Sequence, residues 1–394
     1  MKRKKILILI GYDFRVFGGM DRVIFNLMEF INNNNLFYEV EVLSIKYLSN
    51  PKIKDYYFVG DYKNFNIYKL FRFNYWGLRG GFYTLKGILG LDIFYGYKEL
   101  YDFFKSRSYD IILVLNGIFL NSIHKVFNDL SYSIPIVYWD HGDLLSFSVN
   151  VKNIFLKFLR KTRKNEVIKG IKKTKYFFCI STYIKDLILK LNPLAEVYLV
   201  YNPVEIQPKT ELIDRGENNI LLYVGRISDF EKNLTFMLKG LSKLKDCKWK
   251  LKVIGEGKDL NKLISLANIL GIAERIDFEG FKINPYENLK EVKVLLLTSR
   301  YEGFGMVLVE ANAKGIPFLA PDCPGGIKDI VIEGVNGYLY KEGNIEDFVD
   351  KLRKILIDEM VFAKPEEIHE TAKKFDKNKV LANIISIIEK IINA

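Results

Sequence analysis

The sequence predicts an α/β protein made of two parallel-sheet units in tandem, and three observations predict it. Short, continuous, β-branched apolar runs recur along the chain, as buried parallel strands require. Segments of crossover length with helical apolar spacing separate them. The rhythm then breaks at a polar stretch, 205–218, holding Pro208, Gly216 and four acids, and starts again. A length of 394 residues favours two cores over one.

The first unit opens with a strand at 4–10 (KKILILI), a loop containing Gly18-Gly19, and a helix on which Met20, Val23, Ile24, Leu27 and Ile31 share a stripe. Further strands are expected at 109–115, 134–139, 175–180 and 196–201. After the break, 219–224 precedes Gly225, and Leu234, Met237, Leu238, Leu241 and Leu244 form an apolar helix face. Strands at 249–254, 294–298 and 316–320 follow, with a helix from about 305 and a last helix over 378–392. The expected domains are 1–204, 205–377 and a closing helical segment 378–394 that packs back toward the first domain. Ligands of open parallel sheets bind beyond the carboxyl ends of the strands, so the active site is expected between two Rossmann-like α/β/α domains facing a cleft.

Composition removes several classes. Hydrophobic residues at 49% and charged residues at 27% fit a folded protein rather than a disordered one. Three scattered cysteines, Cys179, Cys247 and Cys323, make neither a disulfide framework nor a zinc cluster, and they suit a reducing cytoplasm. The basic N-terminus is followed by an apolar run of only Ile6–Ile10, too short for a signal peptide. No uncharged apolar stretch approaches the roughly 20 residues that span a bilayer. A cytoplasmic chain is expected.

Charge is divided unequally. Residues 1–204 carry 30 Lys/Arg against 17 Asp/Glu, whereas 205–394 carry 29 against 30. The densest segment, 151–175, holds ten basic residues and one acid, Glu166. Such a patch suits a solvated face, an anionic membrane surface or a phosphorylated substrate. A nucleic-acid backbone is the rival partner; it predicts steeply salt-dependent affinity and leaves the motifs below without a role.

The chain lacks a P-loop, a G-x-S-x-G elbow and an Asp-x-Asp pair. Gly255-x-Gly257 and Gly303-x-Gly305 begin a dinucleotide fingerprint, but Leu260 and Leu308 stand where its last glycine belongs. His124, His141 and His369 have no metal-ligand spacing. The informative string is 298–317, TSRYEGFGMVLVEANAKGIP. Glu302 follows a buried strand, Gly303 and Gly305 flank Phe304, and Glu310 lies two helical turns on. Glycines at a strand-to-helix turn let backbone N–H groups approach an anion. Carboxylates on one face can accept hydrogen bonds from sugar hydroxyls.

This string resembles the donor-binding signature of the family 4 glycosyltransferases. Other segments match in order: Gly18-Gly19 with Asp21-Arg22-Val23, Trp139-Asp140-His141-Gly142, Tyr201-Asn202-Pro203-Val204, Val224-Gly225-Arg226 with Lys232-Asn233, and Gly334-Val335-Asn336-Gly337. The resemblance is dense over 220–340 and sparse over 45–130. It implies the GT-B fold and a metal-independent, retaining transferase that moves a hexose or N-acetylhexosamine from a UDP-sugar to a cell-surface glycan or lipid-linked acceptor. It places His141 and Glu302 at the reacting sugar, Glu310 on the ribose, and Gly18, Gly19, Arg226, Lys232, Gly303, Phe304 and Gly305 around the diphosphate. No cofactor and no nucleic-acid partner are implied. A UDP-sugar epimerase of the same fold is the alternative enzyme. Two departures stand out: Ser228–Glu231 insert acidic residues before Lys232, and Pro321–Gly326 match only loosely.

Overall fold

The computed structural model describes residues 3–10, 19–47, 66–73, 96–146, 154–206, 208–209 and 212–394. The chain divides into two units: Met1–Tyr201 together with Val380–Ala394, and Asn202–Lys379.

The first unit contains a seven-stranded sheet, ordered β3-β2-β1-β4-β5-β6-β7. Its strands are β1 (Lys4–Ile10), β2 (Tyr38–Tyr47), β3 (Asn66–Phe73), β4 (Ile111–Val114), β5 (Ile136–Asp140), β6 (Tyr176–Cys179) and β7 (Glu196–Leu199). All pairings are parallel. Strand β1 pairs with both β2 and β4, and Ile6–Ile10 are fully buried, so a run without alternation is what this position requires.

The second unit holds six parallel strands, ordered β10-β9-β8-β11-β12-β13. They are β8 (Ile220–Val224), β9 (Lys250–Ile254), β10 (Ile276–Gly280), β11 (Val294–Leu296), β12 (Phe318–Asp322) and β13 (Gly337–Lys341). One core joins Leu221, Tyr223, Leu251 and Leu296 of the sheet to Leu238, Leu241, Phe348 and Leu352 of the covering helices. These are doubly wound α/β sheets, and the chain has a two-domain α/β architecture.

Four strands escaped the sequence reading: β2, β3, β10 and β13. Three of them, β3, β10 and β13, lie at sheet edges, where one side lacks a partner strand and polar residues interrupt the apolar run. In β2, Glu39 and Glu41 alternate with Val40 and Val42, masking a strand whose Glu41 is buried and accepts a hydrogen bond from Tyr109 Oη.

The polar stretch 205–218 lies in the second unit. Ile213 is buried and donates its N–H to the Lys314 carbonyl at 2.8 Å, and Asp214 accepts from Val292 N at 2.8 Å. Much of the aromatic-rich 56–104 segment, with Gly18 and Lys152, lies outside the described residues. The last helix, Lys377–Ile392, buries Val380, Leu381, Ile384, Ile385, Ile388 and Ile391. Among the described residues no helix is long and apolar enough to cross a membrane.

Candidate functional site

In the second unit the chain winds outward from β8 through β9 to β10, then returns to lay β11 on the other side of β8. The loops after β8 and β11 therefore leave the sheet in opposite directions, and the gap between them is the ligand position of a doubly wound sheet. Both loops contain residues expected to bind the donor.

After β8, Gly225 donates its N–H to the Ile254 carbonyl at 3.0 Å. A Cβ at Gly255, the residue after β9, would lie 1.9 Å from the Gly225 carbonyl oxygen. Only glycine permits this contact between the two backbones. Buried Tyr223 donates its hydroxyl to the Arg226 carbonyl at 2.9 Å, fixing the turn, while the Arg226 side chain is 66% exposed.

The inserted residues have local work. They form a short helix, Asp229–Lys232. Asp229 accepts from Thr235 N and Oγ1, each at 2.7 Å, and from Lys262 Nζ at 2.6 Å. Burial raises the Asp229 carboxyl, and the Lys262 and Thr235 hydrogen bonds outweigh that and hold it below the usual range. Glu231 forms an ion pair with Arg226. The insertion therefore sets a carboxylate on one of the two expected phosphate-binding cations.

The second cation meets the motif carboxylate. Lys232 Nζ lies 2.5 Å from Glu302 Oε1, and both side chains are largely buried. Ser299 Oγ donates to the same oxygen at 2.6 Å. Three more bonds stitch these segments together: Thr298 Oγ1 to the Lys232 carbonyl at 2.8 Å, Arg300 N to the Glu231 carbonyl at 3.0 Å, and Arg300 Nη2 to Asn233 Oδ1 at 2.7 Å. Nothing in the primary sequence signals this junction, because its halves are 70 residues apart.

Beyond Glu302, Phe304 is buried against Phe375, with ring centroids 5.3 Å apart. Gly305 takes φ 97°, left-handed space that suits glycine, and serves as N-cap of the helix Met306–Ala313. Glu310 lies on that helix and is partly exposed. The loosely matching loop also packs here: Glu302 N donates to the Pro324 carbonyl, and Gly326 N to the Glu302 carbonyl, both at 3.1 Å.

In the first unit, Gly19 begins the helix Gly19–Asn33, and Gly18 lies outside the described residues. His141 follows β5. Asp140 is fully buried and accepts Gly142 N at 2.7 Å, which shapes the turn carrying the histidine. The imidazole lies 5.0 Å from the Trp139 ring, and its Nε2 is buried with no hydrogen-bond partner among the described residues. Burial lowers its pKa to about 3, so the ring is neutral at physiological pH. His124 and His369 have other tasks: His124 Nε2 meets Thr174 Oγ1 at 2.8 Å, and His369 Nδ1 meets the Ala313 carbonyl at 2.9 Å.

Two doubly wound units with these loops define the GT-B class of glycosyltransferase folds. Residues 206–375 match the family model Glycosyl transferases group 1. The lipopolysaccharide 1,6-galactosyltransferase of Salmonella typhimurium is 36% identical over 196 residues, 48% of this chain and 54% of that relative. Its Escherichia coli counterpart is 34% identical, and 61% of it is covered. The chain thus spans roughly half to three fifths of these curated relatives. The apo structure of the lipopolysaccharide outer core galactosyltransferase WaaB superposes with a TM-score of 0.77 at 26% identity, covering 98% of this chain and 99% of that one. The chain has the GT-B glycosyltransferase fold, and the match to the group 1 glycosyl transferases lies within its second unit.

Proposed function

We propose that the protein is a retaining glycosyltransferase of the family 4 type. In this reading it moves a hexose or N-acetylhexosamine from a UDP-sugar to a cell-surface glycan or lipid-linked saccharide, without a metal. The observation that carries the reading is the junction of Lys232 and Glu302 beside the strand switch point. A group suited to phosphate and a group suited to sugar hydroxyls stand there side by side.

The chemistry assigns each residue a task. The bond between the sugar's anomeric carbon and the β-phosphate breaks, and its electron pair leaves on the diphosphate. An acceptor hydroxyl oxygen forms the new bond and releases its proton to phosphate or solvent. Arg226 and Lys232 neutralise the departing charge, helped by the N–H groups that open the helix Met306–Ala313. Glu302 accepts hydrogen bonds from sugar hydroxyls, Glu310 holds the ribose, and neutral His141 orients the sugar. The family resemblance assigns Gly18 and Gly19 to the diphosphate. Because two relatives are named galactosyltransferases, galactose is the first sugar to test.

The acceptor side rests on charge. On the helix Ile154–Lys173, Lys161, Lys164, Lys172 and Lys173 are exposed. The single acid, Glu166, is buried and held by Asn121 at 2.9 Å and Lys169 at 3.0 Å, so it does not reach the surface. We propose that this cationic face meets an anionic membrane surface. Equal co-sedimentation with neutral and anionic liposomes at low salt would refute that part.

A thermal-shift panel of UDP, GDP, ADP, CMP and NAD tests the donor site. A nucleotide at about one hundred times its Kd adds roughly 2.7 kcal/mol, and Glu310→Ala should diminish the response to UDP. A shift with GDP instead changes the donor base, and no shift removes the transferase reading. Incubation with UDP-sugars alone separates the alternatives, since an epimerase interconverts them without acceptor.

A further inference from the structure

Glu302 is held at three points. Its backbone N–H and C=O are both engaged by the 324–326 loop, and its side chain is anchored through one carboxylate oxygen. Among the described residues, the hydrogen bonds to that carboxylate all fall on Oε1: Lys232 Nζ at 2.5 Å and Ser299 Oγ at 2.6 Å. A carboxylate offers about four lone-pair sites, and those of Oε2 are left to a ligand.

The two anchors differ in kind. Lys232 is a cation on a flexible four-carbon stem, and an arriving diphosphate recruits it. Ser299 is a fully buried side chain with one rotatable bond, set in the turn three residues before Glu302. Its hydroxyl has no acceptor other than Glu302 among the described residues. When Lys232 turns toward phosphate, Ser299 remains on Oε1. We infer that Ser299 is a positioning residue: it holds one oxygen of Glu302 inside the protein so that the other faces the donor sugar, including while Lys232 is occupied by the diphosphate. The inference rests on the donor-sugar role proposed above for Glu302.

Isothermal titration calorimetry tests it without an acceptor. Wild type, Ser299→Ala, Glu302→Gln and the double variant are titrated with UDP, UDP-galactose and UDP-glucose, or with GDP and GDP-mannose if the wild type binds that series. Ser299→Ala should leave the Kd of the free nucleotide within about twofold and weaken the sugar nucleotide about tenfold, the usual scale for a hydrogen bond to a charged group. The double variant should be no weaker than Glu302→Gln alone, because Ser299 acts only through that carboxylate. Equal weakening of nucleotide and sugar nucleotide, or full additivity in the double variant, overturns the positioning role. If Ser299→Ala lowers the unliganded Tm by more than about 5 °C, Ser299→Cys carries the same comparison, since the thiol fills the space and donates weakly. A wild type that binds neither nucleotide series overturns the donor reading itself. A wild type that binds with additive variants overturns only the role of Ser299.

Discussion

A methyl group at Gly255 would collide with the backbone oxygen of Gly225, and no side-chain rotation relieves such a clash. Gly255→Ala should cost about 2–4 kcal/mol in urea unfolding of the second unit and weaken UDP, because the displaced turn carries Arg226. Two histidines, His124 and His141, act through pH instead. Burial holds His124 near 4, aided by Lys173, and His141 near 3. Both lie below the ordinary value of about 6.5, so the unfolded chain binds more protons under that pH, and stability falls as acidity increases. Each contributes up to about 1.4 kcal/mol per pH unit between 6.5 and its folded value. His124→Gln should flatten the decline in urea midpoint between pH 6.5 and 5 relative to wild type. The placement of Arg226 after one strand, Glu302 after another and Gly305 at the start of a helix was legible in the sequence because spacing and residue type carry it. The salt bridge from Lys232 to Glu302 was not, because it depends on which strands lie side by side. The pairing of Glu231 with Arg226 was hidden for the same reason, although the acidic insertion itself was visible.

Of the four edge strands only β7 was legible in the sequence, whereas every strand paired on both sides was legible except β2, masked by Glu39 and Glu41. β1, β4, β8 and β11 have neighbours on both sides, so nearly every residue is apolar and the pattern needs no interpretation. β13 reads GYLYK because it borders solvent on one side. Its start is fixed by a polar pin rather than by apolar spacing. Asn336 is fully buried; its Nδ2 donates to Asn312 Oδ1 at 2.9 Å and to the Ile330 carbonyl at 2.9 Å, and its Oδ1 accepts from Ile332 N at 2.7 Å. Replacing Asn336 with Ala strands these partners in the interior, at about 1–3 kcal/mol. Asn336→Ala should lower the urea midpoint clearly, and Asn336→Asp should do little better because it loses both amide donors.

Net charge separates the halves of the sequence, and the last helix ties the chain's end to its beginning. Residues 1–204 hold all of the excess positive charge, so the salt dependence of any lipid association belongs to that half. The helix Lys377–Ile392 presents six buried apolar side chains, each worth roughly 1.5–3 kcal/mol when removed from water. Glu389 accepts from Tyr38 Oη at 3.1 Å, Asn393 accepts from Lys4 Nζ at 3.1 Å, and Lys390 lies over the Tyr198 ring. Ending the chain after Asp376 should therefore destabilise the first unit. Calorimetry should show its transition at lower temperature, while the nucleotide-stabilised transition of the second unit persists.

The same return of the chain orders events during synthesis. The first sheet's strands emerge early, yet residues 380–394, which complete that unit, are polymerised about 180 residues later, a wait of roughly 10–40 s at ordinary elongation rates. The second unit is contiguous and can close as soon as it leaves the ribosome. For that interval the nascent first unit exposes the apolar surface reserved for the last helix, and it is there that a chaperone would bind.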